Sequence, residues 1–291
     1  MNTVPFISFC SCVFVIGRVY SYPVEKFKFS PGDIVDLTYP FNPQTVYFPQ
    51  KKGFNDFTLR IDEKLSKNGD VVMRQGHFQA GEHGGTHLDS PAHFGRNGKG
   101  MSDLSTEQLV GPAVIINVTT QVRSNPDYYL NLTDIHQFEA THGRIPDGSF
   151  VFLYGEWGKR WPDRQRSFGA ETPHFGSDFN QLHFPGFDPA ATRFLIAERN
   201  IRGLGTDGPS VDSAAEIKKE VAAAEKEKAS AAIPCAHLQL ATKGKIAIEY
   251  AAHLEKMPPI GGRIILAPMK NKGGSGAPTR IYGIRPSHKI R

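Results

Sequence analysis

Short continuous apolar runs, separated by Gly and Pro, dominate the chain. "AVIINV" at 113–118, "SFVFLY" at 149–154, "RGLGTDG" at 202–208, "GRIILAPM" at 262–269 and "TRIYGI" at 279–284 have the length and bounding turn residues of strands. Between them, "DPAATRFLIAERN" from Asp188 to Asn200 places an Asp cap and a first-turn Pro ahead of apolar residues at helical spacing. Strands with an intervening helix predict an α/β architecture.

A second helix is predicted for a different reason. "SAAEIKKEVAAAEKEKASAA", Ser213 to Ala232, is built of strong helix formers with interspersed opposite charges, and Ile217 and Val221 are its only large apolar residues. This composition predicts an exposed, solvated helical insertion at about 213–233.

The N-terminus carries a pattern of its own. "VPFISFCSCVFVIG" is a continuous apolar and small-residue run too short to span a bilayer, followed by Val19 and Ser21 as the small −3 and −1 residues of a signal-peptidase site. No Lys or Arg precedes Arg18. The expectation is a cleaved signal peptide at 1–21, a single domain at 22–291 and a secreted protein. No second apolar run reaches membrane-spanning length, so no membrane partner is expected. Of two sequons, at Asn117 and Asn131, only Asn131 reads as exposed, because Asn117 lies in an apolar strand-like run.

At 291 residues with 39% hydrophobic and 22% charged side chains, the chain has the balance of an ordinary globular protein. The net charge of +5 is spread along the sequence, which describes a solvated surface and excludes a nucleic-acid footprint. Cys10 and Cys12 leave with the leader and strand Cys235 in the apolar "AAIPCAHLQL", so no intrachain disulfide is expected and a buried thiol is.

The chemistry concentrates in "GEHGGTHLDSPAHFG" at 81–95, where His83, His87, Asp89 and His93 fall within eleven positions. His83 and His87 have the spacing of a zinc-protease helix, but Gly84, Gly85 and Pro91 break that helix, and Gly84 stands where the protease keeps its glutamate. Fully extended, the stretch from His83 to His93 would cover about 33 Å, so ligands converging on an ion require a sharp bend, which the glycines permit. Imidazole and carboxylate donors without thiolate suit zinc or manganese in a site open to water. On spacing alone, metal binding competes with a chance gathering of histidines in a chain that has 11 of them.

"HGGTHLDSPAHF" resembles the signature of the cyclase family, which includes bacterial-type kynurenine formamidases and isatin hydrolase: His-x-Gly-Thr-His-x-Asp-x-Pro-x-His. The resemblance continues through "DIVDLTYPF" at 33–41, "FPGFDPAATRFLIAERNIRGLGTDGPSVD" at 184–212 and "APMKNKGGSGAPTRIYGI" at 267–284. It implies a swivelling β/β/α domain with a mixed central sheet and flanking helices.

The same resemblance implies that His83, His87 and Asp89 hold one ion, with Asp89 bridging to a second held by His237 and Glu249. Two zinc ions are the expected cofactor, with manganese the alternative. In "KIAIEY", alternation puts Ile246, Ile248 and Tyr250 on one face and Ala247 and Glu249 on the other. His93 matches the acid/base histidine. Tyr47 and Phe48 lie where the family places a substrate-holding aromatic, often Trp, although no Trp precedes Trp157 here. Asp207, Ser210 and Asp212 are expected to orient ligands or gate the site.

The implied activity is hydrolysis of carbon–nitrogen bonds in a small aromatic amide, an aryl formamide or cyclic amide, by a homodimer. The alternatives are a silent binding protein on the same fold and a lactone or ester hydrolase.

Overall fold

The computed structural model of the protein describes residues 30–49, 57–172, 178–227 and 235–287. The leader expected at 1–21 lies outside the described residues. Twelve strands are found among the described residues: β1 (Ile34–Asp36), β2 (Thr58–Leu65), β3 (Val71–Gln79), β4 (His87–Asp89), β5 (Val110–Asn117), β6 (Tyr129–Leu130), β7 (Phe150–Tyr154), β8 (Gly186–Phe187), β9 (Gly203–Thr206), β10 (Ile246–Glu249), β11 (Gly262–Pro268) and β12 (Gly276–Ile284). The α-helices are α1 (Thr119–Ser124), α2 (Leu132–His142), α3 (Arg164–Phe168), α4 (Pro189–Glu198), α5 (Ala214–Glu227) and α6 (Ala236–Thr242). None of the helices found there is long and apolar enough to cross a membrane.

Eight strands form one mixed sheet in the order β1-β12-β11-β5-β7-β9-β10-β4, and β4 also pairs with β12. That extra pairing closes the sheet into a barrel. β5, β7, β9 and β10 run parallel, and burial on both faces accounts for the continuous apolar runs of β5 and β7. The alternation shows where each face goes. Ile115, Phe150, Phe152, Ile246 and Ile248 pack with Leu88 into the barrel interior, whereas Ile116, Val151, Leu153 and Ala247 pack outward with the helix-side core.

The helix at 188–200 appears as α4, with Asp188 accepting from the Ala190 and Ala191 amides and Pro189 in the first turn. The insertion helix begins as α5 but is not solvated at its start: Ser213, Ala214 and Glu216 are buried, and Ile217 packs on the helix-side core. Ile217 and the small residues around it allow this close approach, which overrides the charged composition. The sequon expectation also reverses. Asn117 ends β5 and is exposed, while Asn131 caps α2 and donates its Nδ2 to the Tyr128 hydroxyl and the Tyr129 carbonyl.

One element did not stand out as an apolar run. β2 and β3 form an antiparallel hairpin around Asn68 and Gly69, and all of their residues are exposed. Leu59 lies opposite Phe78 and Ile61 opposite Gly76 on one face, so that face is apolar near the open end of the hairpin and carries the Glu63–Arg74 ion pair nearer the turn.

Candidate metal centre

The closing strand β4 carries the site. Leu88 points into the barrel, so the pleat sends His87 and Asp89 to the outer face, toward the helices. β10 pairs antiparallel with β4 in a register that sets Glu249 opposite His87 and the small Ala247 opposite Asp89. Glu249 therefore meets the β4 ligands through backbone register alone. Tyr250 departs from the expected face: its φ of 49° ends the alternation, and its ring joins the helix-side core instead of Ile246 and Ile248.

The loop before β4 bends as the glycines require. Gly85 has φ of 57°, and a β-carbon on Gly84 would collide with the Tyr47 ring, which is bridged to that residue by backbone pairing. Tyr47 therefore sits behind the loop, while Phe48 reaches the cavity wall.

His83, His87, Asp89, His237 and Glu249 converge. The ligand atoms of His83, His87 and Asp89 lie within 4.8 Å of one another, and so do those of Asp89, His237 and Glu249. Asp89 Oδ1 is 2.6 Å from His83 Nδ1 and 3.3 Å from His87 Nε2, and its Oδ2 is 3.2 Å from His237 Nε2. Glu249 lies 3.4 Å from His87 Nε2 and 3.2 Å from His237 Nε2.

Backbone and carboxylate partners orient these rings. His87 Nδ1 is 2.8 Å from the Gly85 carbonyl, which fixes Nδ1 as the donor and turns Nε2 to the carboxylates. His237 Nδ1 is 2.6 Å from Asp212 Oδ2, and the other Asp212 oxygen accepts the Ala236 amide at 2.6 Å. Ser210 accepts the Asp212 amide at 3.1 Å. Asp207 is buried elsewhere, accepting the Gly155 and Gly158 amides; burial raises its carboxyl to about 6.

The donor set fits a cation. Burial disfavours charge on His87, yet the Asp89 and Glu249 carboxylates hold its pKa up at about 9; they and Asp212 raise His237 in the same way. Burial likewise opposes ionisation of Asp89, but the imidazoles keep its carboxyl well below the usual range. The carboxylates thus favour positive charge at this point, which a divalent ion held by His83, His87, Asp89, His237 and Glu249 would supply.

His93 stands apart from the ligands. Its ring stacks on His83 with centroids 3.9 Å apart and faces a cavity of about 260 Å³. Burial, reinforced by the His83, His237 and His87 imidazoles, lowers its pKa to about 3 against the pull of Asp89, so the ring is neutral. The cavity is walled by Phe48, Phe94, Phe179, Ile217 and Tyr250 and receives Ser210, Asp212 and Glu220.

Several of these side chains were not singled out from sequence. Ser275 Oγ is 2.9 Å from His83 Nε2, and Glu82 accepts the Ser275 and Gly276 amides at 3.0 and 3.3 Å. The "NKGGSGAP" stretch quoted above was their available signal, as was the Glu preceding His83. Ile217 and Glu220 lay in the segment read as solvated, and Cys235 is buried as expected.

The family model described as "Putative cyclase" matches residues 35–213. This chain belongs to the cyclase family. It is 28% identical to isatin hydrolase of Roseibium aggregatum over 87% of this chain and 92% of that protein. With kynurenine formamidase of Salinibacter ruber the identity is 25%, over 85% and 95%. Among solved structures, isatin hydrolase A from Labrenzia aggregata bound to benzyl benzoate superposes with a TM-score of 0.72 at 30% identity, covering 88% of this chain and 95% of that one.

Proposed function

We propose that this cyclase-family protein is a metal-dependent hydrolase of carbon–nitrogen bonds in aryl formamides or cyclic amides. The observation that carries it is the convergence of five metal-competent side chains beside His93, whose ring stacks on His83, in the wall of an aromatic cavity. Similarity to proteins named isatin hydrolase and kynurenine formamidase supports the bond type.

His83, His87, Asp89, His237 and Glu249 would hold one or two zinc or manganese ions, which would supply Lewis acidity and lower the pKa of water at the site. Asp89 is shared between the two ligand groups, and Asp212 holds His237 for its role. His93 accepts a proton at its ring nitrogen and returns it to the departing amine nitrogen. Phe48, Phe94 and Phe179 exclude water and hold the substrate ring. A cavity of about 260 Å³ suits one small aromatic molecule.

Export and homodimerisation belong to the same reading. The apolar run ending at Val19 and Ser21 supports a leader, checked by a mature N-terminus at Tyr22. The exposed apolar patch of Leu59, Ile61 and Phe78 on the β2–β3 hairpin supports a dimer; light scattering showing monomer alone would remove it.

The deciding experiment assays protein of measured metal content on N-formylkynurenine and isatin, before and after chelation. Cleavage of one of them, lost on chelation and restored by metal, is expected. Folded, metal-loaded protein that cleaves neither overturns the proposal.

A further inference from the structure

We propose that Glu82, acting through Ser275, is a positioning residue that holds His83 with its proton on Nε2, so that Nδ1 is the nitrogen His83 offers to a metal ion. This rests on the metal-centre reading above and adds to it two residues outside the five ligands.

The backbone fixes Ser275 from two sides. Its carbonyl accepts the Ser90 amide at 2.9 Å and the Ser90 hydroxyl at 2.8 Å, which ties it to the residue that follows β4. Glu82 holds the other side: its Oε2 accepts the Ser275 amide at 3.0 Å and the Gly276 amide at 3.3 Å, and its Oε1 accepts Asn271 Nδ2 at 2.6 Å. So placed, the Ser275 hydroxyl lies 3.2 Å from Glu82 Oε2 and 2.9 Å from His83 Nε2.

That hydroxyl has one hydrogen and two neighbours that could accept it. A carboxylate only accepts, and a hydrogen bond to an ionised acceptor is the stronger, so the hydrogen goes to Glu82 and an Oγ lone pair faces His83. Nε2 of His83 is then the donor, and Nδ1 presents its lone pair to Asp89 Oδ1, 2.6 Å away. Two acceptors so close call for a cation between them. His83 is thereby reversed with respect to its neighbours, since His87 and His237 engage Nδ1 with Gly85 and Asp212 and turn Nε2 to the site. Glu82→Gln would undo the arrangement: its NH₂ can donate to Ser275 Oγ, which turns the hydroxyl hydrogen toward Nε2 and favours the His83 form protonated on Nδ1, with no lone pair there for an ion.

The test uses isotope-labelled protein loaded with zinc, its zinc content measured first. Proton–nitrogen correlation spectra of the imidazoles are expected to show His83 with a protonated Nε2 and a zinc-bound Nδ1, the reverse of His87; the His83 signals are assigned by their absence in His83→Gln. Competition with a chromophoric chelator should show zinc affinity lowered about tenfold or more in Ser275→Ala and in Glu82→Gln, and close to wild type in Ser275→Thr, which keeps the hydroxyl. A zinc-bound Nε2 on His83 of the wild type, or wild-type affinity in either Ser275→Ala or Glu82→Gln, overturns the inference. The wild-type spectrum needs no variant, so it still decides if a variant fails to fold. If folded wild type takes up no zinc, the metal-centre reading is what has failed. The His83 Nε2 signal of zinc-free protein then decides the role of Ser275: a shift in both Ser275→Ala and Glu82→Gln supports it, and an unchanged signal refutes it.

Discussion

Asp212 grips His237: its Oδ2 lies 2.6 Å from His237 Nδ1, while its Oδ1 accepts the Ala236 amide that begins the same helix. One carboxylate thus sets both the ring's tautomer and its place on α6. In Asp212→Asn the oxygen can keep one of these contacts, and the amide NH₂ opposes the other donor. Metal affinity is expected to fall about 10–100-fold, measured by competition with a chromophoric chelator. Wild-type affinity would show that the helix alone positions His237.

His93 stacks on His83 without sharing the carboxylates that gather the other imidazoles. His93→Ala should retain metal while kcat falls about 10²–10⁴-fold. Metal analysis beside turnover separates a proton carrier from a ligand. Loss of metal in parallel with activity would place His93 among the ligands.

Much of this arrangement was legible before the fold. The loop at 83–93 declares its donors and its bend, and the buried parallel strands announce themselves as continuous apolar runs. Barrel closure was not legible, because it depends on β4, three residues long, pairing with both β10 and β12. The hairpin escaped notice because Leu59 and Ile61 alternate with polar residues and never form a run. Composition misread the start of α5, since a single Ile217 among small residues is enough to dock a helix turn. Asn131 was misjudged for a related reason: its amide is half-buried and donates to the Tyr128 hydroxyl and the Tyr129 backbone carbonyl, contacts that polarity along the sequence does not reveal.

Gly276 belongs to the site although it bears no side chain. It lies opposite Asp89 in the β12–β4 register, and a β-carbon there would enter the His83 ring. The paired strand cannot yield without disturbing Asp89, so the ring must move. Gly276→Ala is expected to weaken metal binding and to destabilise the fold by about 1–3 kcal/mol. Gly32→Ala, where a β-carbon meets nothing within 4 Å, serves as the control for both metal titration and thermal unfolding. Equal behaviour of the two variants would show that His83 has room the structure does not show.

Away from the site, Glu139 on α2 receives Arg199 in a two-point contact, Nε to Oε1 at 2.6 Å and a terminal nitrogen to Oε2 at 2.8 Å, and also accepts the Ile145 amide at 2.8 Å. Arg199 first, opposed by burial and aided by the Ile145 amide, lowers the Glu139 pKa below its ordinary 4.5. The unfolded chain therefore binds this proton more readily than the folded one. The stabilisation is fully present above the ordinary carboxylate value and is lost as pH falls through the folded value. Glu139→Gln keeps the shape and removes the charge, so it should cost about 1 kcal/mol near neutrality, roughly 2–4 °C in Tm. The gap from wild type should close as the pH falls through the lowered folded-state value, where wild-type Glu139 approaches the neutral state that Gln imitates. Thermal unfolding of both proteins across that range checks the sign. A gap that stays constant with pH would assign the effect to packing between α2 and the end of α4, with no contribution from the charge on Glu139.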